Sequence, residues 1–201
     1  MEVALAFRYV LSVLVNGRSP LPPGIKIGKD VFIDRTAILD RQFGKHITLC
    51  DGAAITHKAL LLCHDRSSKG RIAATWIAPI YVGENAFIGA NSILLPGTRI
   101  GKDAIVAAGA VVSGNVEPGV IVAGVPAKPI GRVEDLDRKR LENMKKMKLF
   151  DWKIIYNKSA KIRNSIDNDQ LLAVEKDGGY FVVFDNTSNV WMEGRREKNE
   201  E

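Results

Sequence analysis

Between Val82 and Val116 an aliphatic residue returns at every sixth position: Val82, Ile88, Leu94, Ile100, Val106 and Val112. The residue after each is usually small, as in Gly83, Gly89, Gly101 and Ala107. So is the fourth residue after each, as in Ala86, Ser92, Thr98, Ala104 and Ala110. Such a spacing is neither that of a helix, at roughly 3.6 residues per turn, nor the alternation of a strand. It fits a parallel β-helix, in which each six-residue rung gives one short strand and one turn. The aliphatic position points inward and stacks on its copies above and below. The small positions are expected to let the chain turn tightly without a Cβ clash. Several rungs must stack before a continuous core exists, so the rest of the chain has to feed, interrupt and cap the stack.

Rungs of the same kind begin at Ile27-Gly28 and continue through Ile33 and Leu39. The phase slips between Arg41 and His46, then resumes at Leu49, Ile55 and Leu61. From His64 to Pro79 (HDRSSKGRIAATWIAP) the period vanishes, and this polar segment reads as a loop thrown out from a corner. Long loops on rigid scaffolds are where binding and chemistry concentrate. The run from Pro118 to Arg132 (PGVIVAGVPAKPIGR) breaks the repeat and ends in prolines and basic residues.

The two ends read differently. Met1 to Val15 is apolar around Arg8 and lacks the basic start and small-residue cleavage site of a signal peptide. It reads as a helical cap over the open end of the stack, which would otherwise expose strand edges. Turn chemistry from Asn16 to Gly24 ends it. Glu134 to Lys148 places Leu136, Leu141, Met144 and Met147 at helical spacing, as in an amphipathic helix lying against the stack. Leu171 to Asp185 reads as a β-hairpin turning at Asp177-Gly178-Gly179. The expected organisation is therefore a cap and linker over 1–24, a β-helix over 25–132 and an extension over 133–201.

The 201 residues contain no apolar run near the roughly 20 needed to span a bilayer. Membrane contact is not expected. Cys50 and Cys63 form neither a metal spacing nor a disulfide framework, which favours a cytoplasmic protein. The net charge is +6, and about half of the basic residues lie in the C-terminal third, interleaved with acids. No nucleic-acid motif accompanies it, and a phosphorylated small molecule would use the charge more economically.

The rungs, the loop after His64 and the closing run AGVPAKPIGR together resemble the hexapeptide-repeat acyltransferases, in particular their sugar and polysaccharide O-acetyltransferase branch. The resemblance covers roughly Ile25 to Arg132. It implies an all-β fold, a left-handed parallel β-helix of triangular section built from hexapeptide repeats, here with an N-terminal helical cap and an α/β C-terminal extension. It implies acetyl-CoA as co-substrate, no required metal, and a homotrimer with active sites between subunits.

The resemblance also implies roles for residues. His64, closing LLLCHD, matches the family's catalytic histidine, a general base for the acceptor hydroxyl. Asp40 resembles an acid placed near the active-site groove. Asp34 and the loop's Trp76 are further candidates for the acceptor, Trp76 either stacking on a sugar ring or packing the loop down. Ala90 and Ala108 match backbone contacts to the thioester and pantetheine arm, with Ala90 N–H a candidate oxyanion donor. A polar residue stands at the Ala90 place in some relatives. Ser113 matches a hydroxyl contact, and Gly114 replaces a frequent lysine. Lys128 and Arg132 match basic residues at the coenzyme A phosphates, Arg132 one place later than the family's arginine.

The other histidines compete weakly. His57 sits inside a rung, where a surface or corner position is the ordinary explanation, and His46 falls in the phase slip. The spacing of His57 and His64 does not match the zinc-binding pair of γ-class carbonic anhydrases, which share the fold. The expected function is O-acetylation of a sugar or glycan precursor. N-acetylation of an amino sugar or nucleotide sugar is the alternative, and a non-catalytic β-helix scaffold is the second.

Overall fold

Each six-residue rung becomes a strand of two or three residues followed by a turn, and three rungs make one coil. The computed structural model describes residues 21–151 and 179–183 together with Gln170, Val174 and Lys176. The expected cap over 1–15 lies outside the described residues.

The first coil holds β1 (Lys26–Ile27), β2 (Phe32–Ile33) and β3 (Ile38–Leu39). The second holds β4 (Ile47–Leu49), β5 (Ala54–Ile55) and β6 (Leu60–Leu61), entered through a 3-10 turn at Gly44–His46 where the phase slips. An excursion of β7 (His64–Asp65), α1 (Lys69–Ile72) and β8 (Trp76–Ile77) then leaves the coil. The third coil comprises β9 (Ile80–Val82), β10 (Phe87–Ile88) and β11 (Ile93–Leu94), and the fourth β12 (Arg99–Ile100), β13 (Ile105–Val106) and β14 (Val111–Val112). A partial fifth coil holds β15 (Asn115–Val116) and β16 (Val120–Ala123), and β17 (Lys128–Arg132) folds back onto it.

Strands from successive coils stack into three parallel sheets, the faces of a triangular prism. The first face runs β1-β4-β9-β12-β15, the second β2-β5-β10-β13-β16 and the third β3-β6-β11-β14. β17 adds to the second face antiparallel, with a bulge between Ile121 and Val122. The register places Leu49 on Val82 on Ile100 on Val116, and Ile55 on Ile88 on Val106 on Val122. These ladders, with Leu61, Leu94 and Val112 on the third face, are the buried core. Burying each such side chain contributes about 1.5–3 kcal/mol. The repeat thus runs one rung beyond Val116, since Val122 is buried six residues later. At the other end Ile27 remains 40% exposed.

The small residues serve a different purpose from the one expected. A Cβ on Gly83 would lie 2.8 Å from the Gly101 carbonyl carbon, and one on Gly89 would lie 2.6 Å from Ala108 N. Glycine is required there by the close approach of successive coils. The tight turns fall instead on Asn85, Asn91, Gly97, Asp103 and Gly109, all with φ between 53° and 84°. These too recur every six residues, and Asn, Asp and Gly are the residues that tolerate left-handed backbone.

The segment after His64 is ordered as an arm rather than a plain loop. β7 and β8 pair antiparallel, His64 opposite Ile77 and Asp65 opposite Trp76, and Ala78 N donates to Cys63 O at 2.9 Å to close its base. At the C-terminal end α2 (Val133–Met144) forms where the pattern predicts a helix, with Val133, Leu136, Leu141 and Met144 half-buried.

The chain divides into two compact units between Leu136 and Asp137. In the second, β18 (Lys148–Asp151) pairs parallel with β19 (Tyr180–Val183). The expected hairpin over 171–185 is therefore corrected: Tyr180–Val183 takes its partner from 148–151, and Gln170, Val174 and Lys176 before it are helical. Alternation and a Gly-Gly turn cannot distinguish a hairpin strand from one paired with a distant segment. Among the described residues no helix is long and apolar enough to cross a membrane.

Candidate active site

Asp40 ends the first coil and His64 begins the arm one coil later. Stacking brings them together on the edge between the third and first faces. Asp40 is 6% exposed and its carboxylate is fully engaged. Oδ1 accepts the N–H groups of Gln42 and Phe43, each at 3.1 Å. Oδ2 accepts Cys63 N–H at 3.0 Å and faces His64 Nδ1 at 2.5 Å. Burial works to raise the Asp40 pKa. The His64 hydrogen bond and the Cys63 and Phe43 N–H groups outweigh it and hold the carboxyl below its ordinary value.

An ionised Asp40 requires a proton on Nδ1, so a neutral His64 keeps its lone pair on Nε2. The Phe43 ring, with its centroid 5.1 Å from the imidazole, braces it further. Beside it opens a cavity of about 530 Å³ lined by the arm and the next two coils. Leu62, Trp76, Leu95, Pro96 and Gly97 make its wall mainly apolar, while His64, Asp65, Arg66 and Ser113 supply polar groups. Among the described residues no cluster of three His, Cys, Asp or Glu side chains is placed to hold a metal ion.

The residues singled out in the sequence separate into three groups. His64, Trp76 and Ser113 share the cavity, and Asp40 lies directly behind His64. Asp40 therefore stands behind the imidazole, with its oxygens engaged by His64 and by backbone N–H groups. Asp34, His57, Ala90 and Ala108 occupy the edge between the second and third faces and do not line the cavity. There Asp34 Oδ1 accepts Thr36 N at 2.8 Å and the Thr36 hydroxyl at 2.5 Å, and His57 Nδ1 lies 2.8 Å from that hydroxyl. These Thr36 bonds, chiefly, hold the Asp34 carboxyl below its usual range. Ala90 O accepts Gly109 N at 2.8 Å, so this edge is continuous from coil to coil. Lys128 and Arg132 lie on β17, both exposed, with Arg132 3.9 Å from Glu134. His46 sits in the 3-10 turn before β4. Arg66, Leu95, Pro96 and Gly97 escaped the sequence reading, although Gly97 carries the periodic left-handed turn signal.

Residues 79–113 match the family described as the hexapeptide repeat of succinyl-transferase. A 2,3,4,5-tetrahydropyridine-2,6-dicarboxylate N-acetyltransferase of Staphylococcus aureus is 43% identical over 65 residues. That match covers 32% of this chain and 27% of the relative, so the chain spans about a quarter of the curated relative's length. A solved hexapeptide-repeat acetyltransferase of Vibrio cholerae is 27% identical, covering 64% of this chain and 80% of that one with a TM-score of 0.51. Its complex with acetyl coenzyme A is similar at 28% identity and a TM-score of 0.51, covering 64% and 77%. The matched rungs and the shared coil agree on a left-handed parallel β-helix built from hexapeptide repeats, similar to that of these acetyltransferases.

Proposed function

We propose that this chain is an acetyl-CoA-dependent O-acetyltransferase acting on a hydroxyl of a sugar or glycan precursor. The observation that carries the reading is the buried Asp40 carboxylate 2.5 Å behind His64 Nδ1, at the mouth of an apolar cavity. A purely structural histidine needs neither an ionised partner nor an open Nε2. His64 Nε2 takes the acceptor proton as the hydroxyl oxygen bonds to the acetyl carbon. The resulting imidazolium is stabilised by Asp40 and returns the proton to the sulfur as the thioester bond breaks.

The apolar wall of Leu62, Leu95 and Pro96 suits a pantetheine chain, and the Ser113 hydroxyl gives it a polar contact. Ala90 and Ala108 supply the donor track by backbone, and among the described residues neither N–H is spent on a backbone hydrogen bond. Lys128 and Arg132 meet the phosphates. Asp34 and Trp76 serve the acceptor.

On one chain the edge of Ala90 and Ala108 is not the edge of His64. A homotrimer with sites between subunits brings one copy's donor track to the next copy's histidine. The outward residues support this assembly. The second face presents Phe32, Ala54, Phe87, Ile105 and Ile121, and the third Ile38, Leu60, Ile93 and Val111. The first presents Lys26, Thr48, Tyr81, Arg99 and Asn115. Two faces are apolar and one is polar, as a ring of three prisms needs. Cytoplasm is the compartment that supplies acetyl-CoA.

The similar Staphylococcus aureus protein is an N-acetyltransferase, which favours a second reading, transfer to an amine, served by the same base. The deciding measurement is thiol release from acetyl-CoA with panels of hydroxyl and amino sugars. Wild type should release thiol with a hydroxyl acceptor, and His64→Ala should lose about 10²–10⁴-fold in rate. Release only with amines selects N-acetylation. Near-wild-type turnover by His64→Ala removes it from the mechanism, and no release or coenzyme A binding by the wild type supports the scaffold reading.

A further inference from the structure

The arm that positions His64 also carries groups the transfer step leaves unused. Trp76 lines the cavity while remaining 58% exposed, so a broad aromatic face is open to a ligand. Arg66 lines the same cavity one residue beyond the Asp65–Trp76 pair. Both therefore belong to the wall of the space that His64 borders.

The charges around this space do not cancel. Asp65 Oδ1 accepts Ser67 N at 2.7 Å, and that carboxyl is held low first by Ser67, then by His64 and Arg71. Asp40 is enclosed behind His64 and offers nothing to the cavity. Among the described residues Arg66 has no ion pair, and Lys69 and Arg71 add positive charge further along the arm. The lining thus pairs an aromatic platform with an open guanidinium. Sugar rings stack their C–H faces on such platforms, and a guanidinium grips carboxylate or phosphate with two parallel N–H donors.

Resting on the transferase reading above, we propose that the acceptor is an anionic sugar, a pyranose bearing a carboxylate or a phosphate, whose ring lies on Trp76 and whose charge pairs with Arg66. This placement directs a ring hydroxyl towards His64 Nε2, and it makes Arg66 a specificity-determining residue.

Equilibrium binding to the full chain, read by saturation-transfer NMR, tests this apart from catalysis. The probes are glucuronate, glucose 6-phosphate and glucose. Wild type should bind at least one anionic probe about tenfold more tightly than glucose, and the two anions separate carboxylate from phosphate recognition. Arg66→Ala should abolish that preference, and Arg66→Lys should keep part of it because charge remains while the fork is lost. Equal binding of all three probes, or a preference that survives Arg66→Ala, overturns the inference.

In turnover, the ratio of kcat/KM for anionic over neutral acceptors should fall about tenfold in Arg66→Ala. A rise in KM for acetyl-CoA shared by every acceptor would assign Arg66 to the donor phosphates and also overturn it. Absence of thiol release with every acceptor sinks the transferase reading alone, because the binding preference stands or falls separately.

Discussion

Asp40 and Cys63 are neighbours with opposite responses to burial. Asp40 is ionised because an imidazole and backbone N–H groups compensate it. Cys63 has only a backbone hydrogen bond with Ile80 to offset its burial: burial first, and then the Asp40 charge, push its thiol up to about 11. In the folded chain at pH 8 about one Cys63 in a thousand is therefore thiolate. Iodoacetamide at pH 8 should label Cys63 only after denaturation, as mass spectrometry of the alkylated chain would show. Asp40→Asn retains the side chain's size but removes the charge that fixes the imidazole tautomer. Its kcat should fall about 10²-fold or more, with KM for acetyl-CoA little changed. Asp40 also links stability to pH. Its folded pKa is depressed, so its contribution is present above the ordinary carboxylate pKa and is lost as pH falls through the folded value. Urea midpoints should drop more steeply on acidification below about pH 4 in wild type than in Asp40→Asn.

At the scale of elements, the rungs are interchangeable in pattern but not in tolerance. Ile88 is fully buried between Ile55 and Val106, so Ile88→Ala should destabilise by about 2–5 kcal/mol in chemical denaturation. Gly89→Val tests the close approach of coils. Its Cβ would meet backbone of the next coil at 2.6–2.8 Å, which no rotamer relieves, so loss of the cooperative transition is expected. The inward ladder was legible in the sequence because period six with a repeated aliphatic residue admits few folds. The left-handed turns were equally periodic at 85, 91, 97, 103 and 109, but their Asn, Asp and Gly residues read as generic turn chemistry. The arm after His64 showed only as a loss of period. Its two-residue strands are too short for alternation to register.

At the scale of the whole molecule, the outward residues of the second and third faces are apolar, which supports the proposed trimer. Light scattering should give the mass of three 22.1 kDa chains, and Phe87→Lys, at an outward position of the second face, should shift it towards monomer. A mass of one chain in wild type would count against the trimer. Lys26, Thr48, Tyr81, Arg99 and Asn115 leave the first face polar, as the proposed trimer requires of its outer surface. Arg99 there lies 4.7 Å over the Tyr81 ring and satisfies itself.

The inward and turning positions of the coil follow from local rules: which side chains a two-residue strand buries, and which residues bear left-handed backbone. These repeat along the chain and can be read from it. The candidate site obeys no local rule. Asp40 and His64 are 24 residues apart and meet only because the phase slip and one full coil carry them to the same edge. Asp34, Ala90 and Ala108 lie on a different edge of the prism from His64, which their positions in the sequence do not reveal. Which groups share an edge depends on the number of residues per coil and on every slip in it, a sum that only the folded prism performs.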